Sequence, residues 1–81
     1  MSNFTVVLKQ DEPGFFVDVP ALPGCNTQGR NEEDAVVQAK DAIVAWCDHA
    51  TELGVKIPTN VQVNLANYNG NVSLHVVSVD V

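Results

Sequence analysis

The sequence predicts an α+β fold: a three- to four-stranded antiparallel sheet with one long helix packed on one face, in the order β-β-β-α-β. Three observations predict it. Short stretches of alternating apolar and polar residues lie on both sides of a single long helical pattern. The segment Val19-Pro20-Ala21-Leu22-Pro23-Gly24-Cys25-Asn26-Thr27-Gln28-Gly29 breaks strand-like sequence with two prolines and two glycines. An acidic run, Glu32 to Asp34, then opens the helix. Eighty-one residues, 46% hydrophobic and 17% charged, suit one globular domain over residues 1–81 with a small core.

Asn3 to Gln10 alternates as a strand, with Phe4, Val6 and Leu8 on one face. Asp11-Glu12-Pro13-Gly14 supplies a turn, and Phe15 to Pro20 returns as the second strand of a hairpin. Phe15, Val17 and Val19 share one face of it, and Phe16 and Asp18 the other. Pro20 has no ladder donor and belongs at a strand end or edge. Pro23-Gly24 makes a turn, and Cys25 to Gly29 a short third strand.

Asn31 is placed as an N-cap, with Asp34 at the N3 position of a capping box. Glu32, Glu33 and Asp34 set negative charge against the positive end of the helix dipole. Ala35, Ala39, Ala42, Ile43, Trp46, Ala50 and Leu53 then fall within about a quarter of the helix circumference, a stripe for the sheet. The alanines let the backbone approach closely, and Trp46 brings the largest area to bury. Gly54 suits the C-cap, and Pro58 prevents a restart. Beyond it, 61–66 is either an extra strand or a crossing loop, and Asn69-Gly70 is a favoured hairpin turn. Val72 to Val81 is the final strand. Its apolar phase shifts between Val76 and Val77, which suggests a bulge.

Net charge is −6, with only Lys9, Arg30, Lys40 and Lys56 positive. Four scattered cations do not make a phosphate-binding surface, so direct nucleic-acid binding is not expected. The acidic balance suits a basic protein partner. No run approaches the roughly 20 apolar residues of a membrane span, and Met1-Ser2-Asn3 does not open a signal peptide. The expectation is therefore a cytoplasmic protein without membrane contact, in which Cys25 and Cys47 are free thiols. In that compartment the glycosylation patterns at Asn3 and Asn71 have no meaning.

Chemistry-bearing residues are few. Cys25, Cys47, His49 and His75 are metal-ligand types, but Cys47 and His49 point about 160° apart on a helix and the other spacings match no zinc pattern. No metal and no cofactor are expected. Cys25 has no paired base in the sequence and is better explained as a small packing side chain. His75 sits in a strand as a surface or interface residue. Asp34, Asp41, Asp48 and Glu52 lie on the helix face away from the core, a solvated face, and no residue is assigned a catalytic role.

Two surfaces remain. Phe16 and Val7 are expected to project from the sheet face the helix leaves uncovered, which favours self-association as a homodimer or higher oligomer. Val37 and Val44, flanked by Asp41 and Asp48, form a candidate partner surface on the outer side of the helix.

Gly14-Phe15-Phe16, the motif from Val19 to Gly29, Glu33-Asp34-Ala35 through Ala42, and Gly54-Val55-Lys56-Ile57-Pro58 follow one another in an order that resembles the HicB-like antitoxin family. The resemblance covers nearly the whole chain; Asn31 departs from it, where Thr or Ser is more usual. It implies a reduced ribonuclease-H-like fold. Enzymes of that fold gather carboxylates around two metal ions, for which Asp18 and Asp80 alone are too few. It implies a protein that is not an enzyme and that neutralises a HicA-like toxin. Such a toxin is a small basic mRNA-cleaving ribonuclease, blocked over its catalytic histidine and RNA surface. Many relatives add a C-terminal DNA-binding domain; the sequence given ends at Val81, so autorepression is not expected to carry over. The alternatives are an orphan interaction module of this fold with an unrelated partner and, more remotely, a small ribonuclease-H-like enzyme using Asp18 or Cys25.

Overall fold

Period-two burial along the first strand organises the molecule. In the computed structural model, which describes every residue except Met1, Leu65, Asn67, Asn69 and Val81, Phe4, Val6 and Leu8 are buried on one face of β1 (Ser2–Asp11). β2 (Gly14–Asp18) and β3 (Asn26–Gly29) follow, then α1 (Glu32–Leu53) and β4 (Val72–Val79). All pairings are antiparallel and the strand order is β3-β2-β1-β4. This is the predicted β-β-β-α-β arrangement. Val17, paired with Leu8, and Val77, paired with Phe4, extend the buried face on either side of β1.

The helix begins and ends where its caps dictate. Asn31 is extended at φ −149°, and its side chain accepts from the Asp34 N–H at 2.8 Å. Asp34 reaches back to the N–H of Arg30 at 2.9 Å, one residue outside the usual capping box. At the other end Gly54 adopts φ +72°. Gly54 N–H donates to Thr51 O and Val55 N–H to Ala50 O, a Schellman motif.

Against the sheet the helix buries Ala35, Ala39, Ile43, Cys47 and Ala50. This differs from the predicted stripe. The contact follows the i, i+4 row, which is inclined to the helix axis, and so drifts off a line drawn parallel to that axis. Leu53 is consequently 64% exposed, Cys47 is buried, and Ala42 and Trp46 sit half-buried at the rim. Trp46 ties the helix to the loop instead, its indole N–H donating to Pro23 O at 2.9 Å. That loop closes the end of the core with buried Ala21 and Leu22. Its turn has Pro23 followed by Gly24 at φ +76°, and Cys25 N–H donates to Leu22 O at 3.0 Å.

After Gly54 the chain passes around the sheet. Ile57 packs on the edge of the core, and Asn60 accepts from Thr5 N–H at 2.8 Å and donates to Thr5 Oγ1 at 3.0 Å. The β1–β2 pairing stops at Val7↔Asp18, so the Thr5 N–H has no strand partner and the Asn60 side chain takes that place. The segment then crosses the face opposite α1. Gln62, Val63 and Asn64 lie beside Leu74, and the Tyr68 hydroxyl donates to Asp18 Oδ2 at 3.3 Å. Residues 61–64 form no strand, which settles those positions as part of a crossing loop; Leu65 and Asn69, and with Asn69 the expected hairpin turn, lie outside the described residues.

Two expectations are corrected by this crossing and by the register. Val7, between Asp18 and Leu74 on the face opposite α1, is 1% exposed rather than projecting to solvent. The bulge at Val76 and Val77 is absent, because pairing with β1 runs without a break from Ser2↔Val79 to Lys9↔Val72. Val77 and Val79 face the helix while Leu74 and Val76 face the other side, so β4 is apolar on both faces and the phase change is only apparent.

Candidate functional site

The two cysteine thiols and the Tyr68 hydroxyl are held in ways that disarm them. Cys25 is buried, and that burial, assisted by nearby Cys47 and Asp18, pushes its thiol up to about 11. At neutral pH it stays protonated and is a poor nucleophile. Burial raises the Cys47 thiol too, with Asp48 adding to the effect. Asp18 accepts the Tyr68 hydroxyl, and burial followed by the Asp18 charge raises the Tyr68 pKa. Among the described residues no three His, Cys, Asp or Glu side chains converge as metal ligands.

Folding does bring together one set that the sequence keeps apart. His75 on β4 faces the start of α1, where its Nε2 lies 3.1 Å from Glu32 Oε1 and 3.4 Å from Ser73 Oγ. A serine–histidine–acid relay needs the acid on one ring nitrogen and the serine on the other. Here both contacts fall on Nε2, so no proton can pass through the ring between them. The set pins the helix start over β4 and is not a triad.

The outer face of α1 is different. Val37, Asp41, Val44 and Asp48 are all exposed, with Val37 at 56% and Val44 at 36%. Spaced by four, three and four residues, they fall within about 60° of arc and form one line along the helix. Neither Asp41 nor Asp48 has a cation at ion-pair distance among the described residues. The line therefore offers unneutralised carboxylates alternating with apolar contacts. Leu53 and Val55 add exposed apolar surface where the helix ends, which sequence periodicity had assigned to the core in the case of Leu53.

On the opposite face Phe16 is 42% exposed, as expected of it, while Val7 is covered. Phe16 borders an open hollow of about 520 Å³ between the β1–β2 turn and the helix start, together with Pro13, Gln28, Arg30 and Asp34. The hollow lacks the enclosure of a small-molecule site. Two of its polar residues engage each other: Asp34 accepts from the Arg30 backbone N–H, which holds its carboxyl below the usual range, with Gln38 and the Arg30 guanidinium adding to the effect against the opposing pull of burial.

That depression has a sign. A carboxyl whose folded pKa lies below its unfolded value of about 3.9 contributes stability above that value and loses it as pH falls through the folded pKa. Asp34→Asn is thus expected to melt at lower temperature than the native protein at pH 7, with the gap closing as pH approaches 3. A gap that is constant from pH 7 to 3 would show that the carboxylate charge does not anchor the helix start.

The chain resembles known proteins in both sequence and fold. The family described as HicB-like antitoxin of bacterial toxin–antitoxin system matches residues 4–81. A UPF0150 protein of Thermoplasma acidophilum is 43% identical over 57 residues, 69% of this chain and 83% of its own length. A UPF0150 protein of Archaeoglobus fulgidus is 35% identical over 61 residues, 74% of this chain and 77% of its own. Among solved structures, the N-terminal domain of the Burkholderia pseudomallei antitoxin HicB superposes with a TM-score of 0.76 at 23% identity, covering 98% of this chain and 99% of that one. The longer HicB antitoxin of that organism gives 0.79 at 28% identity, with 99% of this chain on 64% of that one. A chain of the HicA3–HicB3 toxin–antitoxin complex gives 0.72 at 18% identity, covering 96% and 98%. Among the described residues no helix is long and apolar enough to cross a membrane.

Proposed function

The chain belongs to the HicB-like antitoxin family, and from that premise we propose that it binds and neutralises a small basic ribonuclease toxin of the HicA type. The observation that carries this reading is the line Val37, Asp41, Val44 and Asp48 on the free face of α1, in a chain of net charge −6. Unpaired carboxylates draw a basic partner in and set its orientation, while desolvated apolar contacts between them supply much of the affinity. The fold's likeness to a chain of the HicA3–HicB3 complex supports a toxin of that kind as the partner. The protein acts by covering its partner, with no bond made or broken by its own side chains.

Co-expression with a HicA-type toxin encoded beside the gene tests the proposal. Growth is expected to be rescued, and the two proteins are expected to co-purify as a complex that dissociates at raised salt. Absence of rescue together with absence of a complex would leave an interaction module of this fold with an unrelated partner.

A further inference from the structure

We propose that the outer edge of β4 is a self-pairing interface, on which a second copy of this chain docks antiparallel to make one continuous eight-stranded sheet. The inference rests on the strand edge and does not depend on the antitoxin reading.

β4 is the outermost strand on its side, and the direction of its backbone groups follows from the register. Gln10 N–H donates to Asn71 O across the β1–β4 pairing, so the even-numbered β1 residues Phe4, Val6 and Leu8 turn their backbone groups toward β4. Their partners Val77, His75 and Ser73 point back at them. In an antiparallel ladder the alternate residues point the other way. Val72, Leu74, Val76 and Ser78 therefore aim their N–H and C=O groups outward, and none of the hydrogen bonds among the described residues reaches them.

Proteins that keep such an edge solitary shorten it, bulge it, place proline or lysine in it, or cover it. The opposite edge follows that rule: β3 has four residues and lies under the helix start, where Gly29 touches Ala35. β4 has eight residues with no proline and no Asp, Glu, Lys or Arg, and its register has no bulge. Leu74 and Val76, at 40% and 67% exposure, are apolar on the same residues whose outward backbone groups have no partner among the described residues.

The sequence of the edge is complementary to itself. With a two-fold axis through His75, Val72 faces Ser78 of the second copy and Leu74 faces Val76, and these four outward residues are all paired. Leu74 and Val76 from the two copies then form an apolar cluster on the face opposite α1. In a chain of net charge −6, an edge free of charge lets two copies meet without like charges in register. An acidic or basic partner strand would find no complementary charge along it.

The axis gives the test. The two His75 positions would form a non-hydrogen-bonded pair with Cα atoms about 4.5 Å apart, within disulfide range. His75→Cys in the full chain is expected to yield a covalent dimer on mild oxidation, whereas Ala45→Cys, exposed on α1 rather than on a strand, yields none. Sedimentation of the native chain is expected to show a dimer at micromolar concentration, and Val76→Lys to raise its dissociation constant at least tenfold. Val76 is exposed, so the variant is expected to keep the native circular dichroism. A monomer at 100 μM would overturn the proposal. So would a dimer that Val76→Lys leaves intact and Phe16→Asp breaks, which would place the contact on the sheet face.

Discussion

Gly29→Ala is expected to destabilise the protein by about 3 kcal/mol, the upper end of what overpacking usually costs. A Cβ at Gly29 would lie 2.4 Å from both the N and the Cα of Ala35 and 2.8 Å from its Cβ. Two of those atoms are backbone in the first turn of α1, so no rotamer change relieves the clash. The helix start must lift from β3, which strains the Asn31 cap and uncovers Ala35, now 0% exposed. The neighbouring strand cannot give way, because a Cβ at Gly14 would itself be 2.4 Å from Gly29 O and the two strands are in register at Phe15↔Gly29. For a domain of this size that loss corresponds to a fall in melting temperature of roughly 12–24 °C. Gly24→Ala is the comparison: its φ of +76° disfavours a side chain, but nothing lies within 4 Å, and about 1–2 kcal/mol is expected. Thermal circular dichroism measures both. Equal melting of the two variants would mean that the helix start does not rest on β3.

Elements fixed by neighbouring residues were legible in the sequence, and elements fixed by distant ones were not. Asn31, the acidic first turn, Gly54 and the Pro23-Gly24 turn act within a few residues of themselves, and each appears where it was expected. The identity of the buried helix residues depends on the angle at which α1 crosses the sheet. Periodicity along one helix carries no information about that angle, which is why Leu53 and Cys47 exchanged places. The alternation in β4 misled for a related reason. A strand with apolar residues on both faces gives no phase to read, and only pairing with β1 shows that Val76 and Val77 are consecutive ladder residues.

The same division runs through the candidate surfaces. The line from Val37 to Asp48 was legible because it needs only helical spacing and the knowledge of which face is buried. Val7 was misplaced because its cover comes from beyond the helix, through a loop anchored by Asn60 on Thr5 and by Tyr68 on Asp18. Glu32 and His75 stand 43 positions apart in the chain, and their 3.1 Å contact follows only from laying α1 over β4. The outer edge of β4 likewise requires the strand order, which places β4 beside β1 and, among the described residues, gives it no strand on its other side.

Asp41→Lys combined with Asp48→Lys is expected to slow association with a basic HicA-type toxin by about 10–100-fold at low salt. The same change should flatten the salt dependence of the rate, since the attraction that salt screens has been removed. Both side chains are exposed and unpaired among the described residues, so the melting temperature should hardly move. Val37→Ala with Val44→Ala should act on the other limb, leaving the association rate near native and speeding dissociation, because a desolvated apolar contact is lost only once the complex has formed. Net charge alone could also slow encounter. The control is therefore Asp11→Lys with Asp80→Lys, two exposed carboxylates off the helix that carry the same change in total charge. If that pair slows binding as much as the helix pair does, steering comes from the whole molecule and the line on α1 is not the contact. If only the helix pair does so, and the valine pair changes dissociation, the two kinds of residue divide recognition as their chemistry requires: carboxylates bring the partner in, and valines hold it.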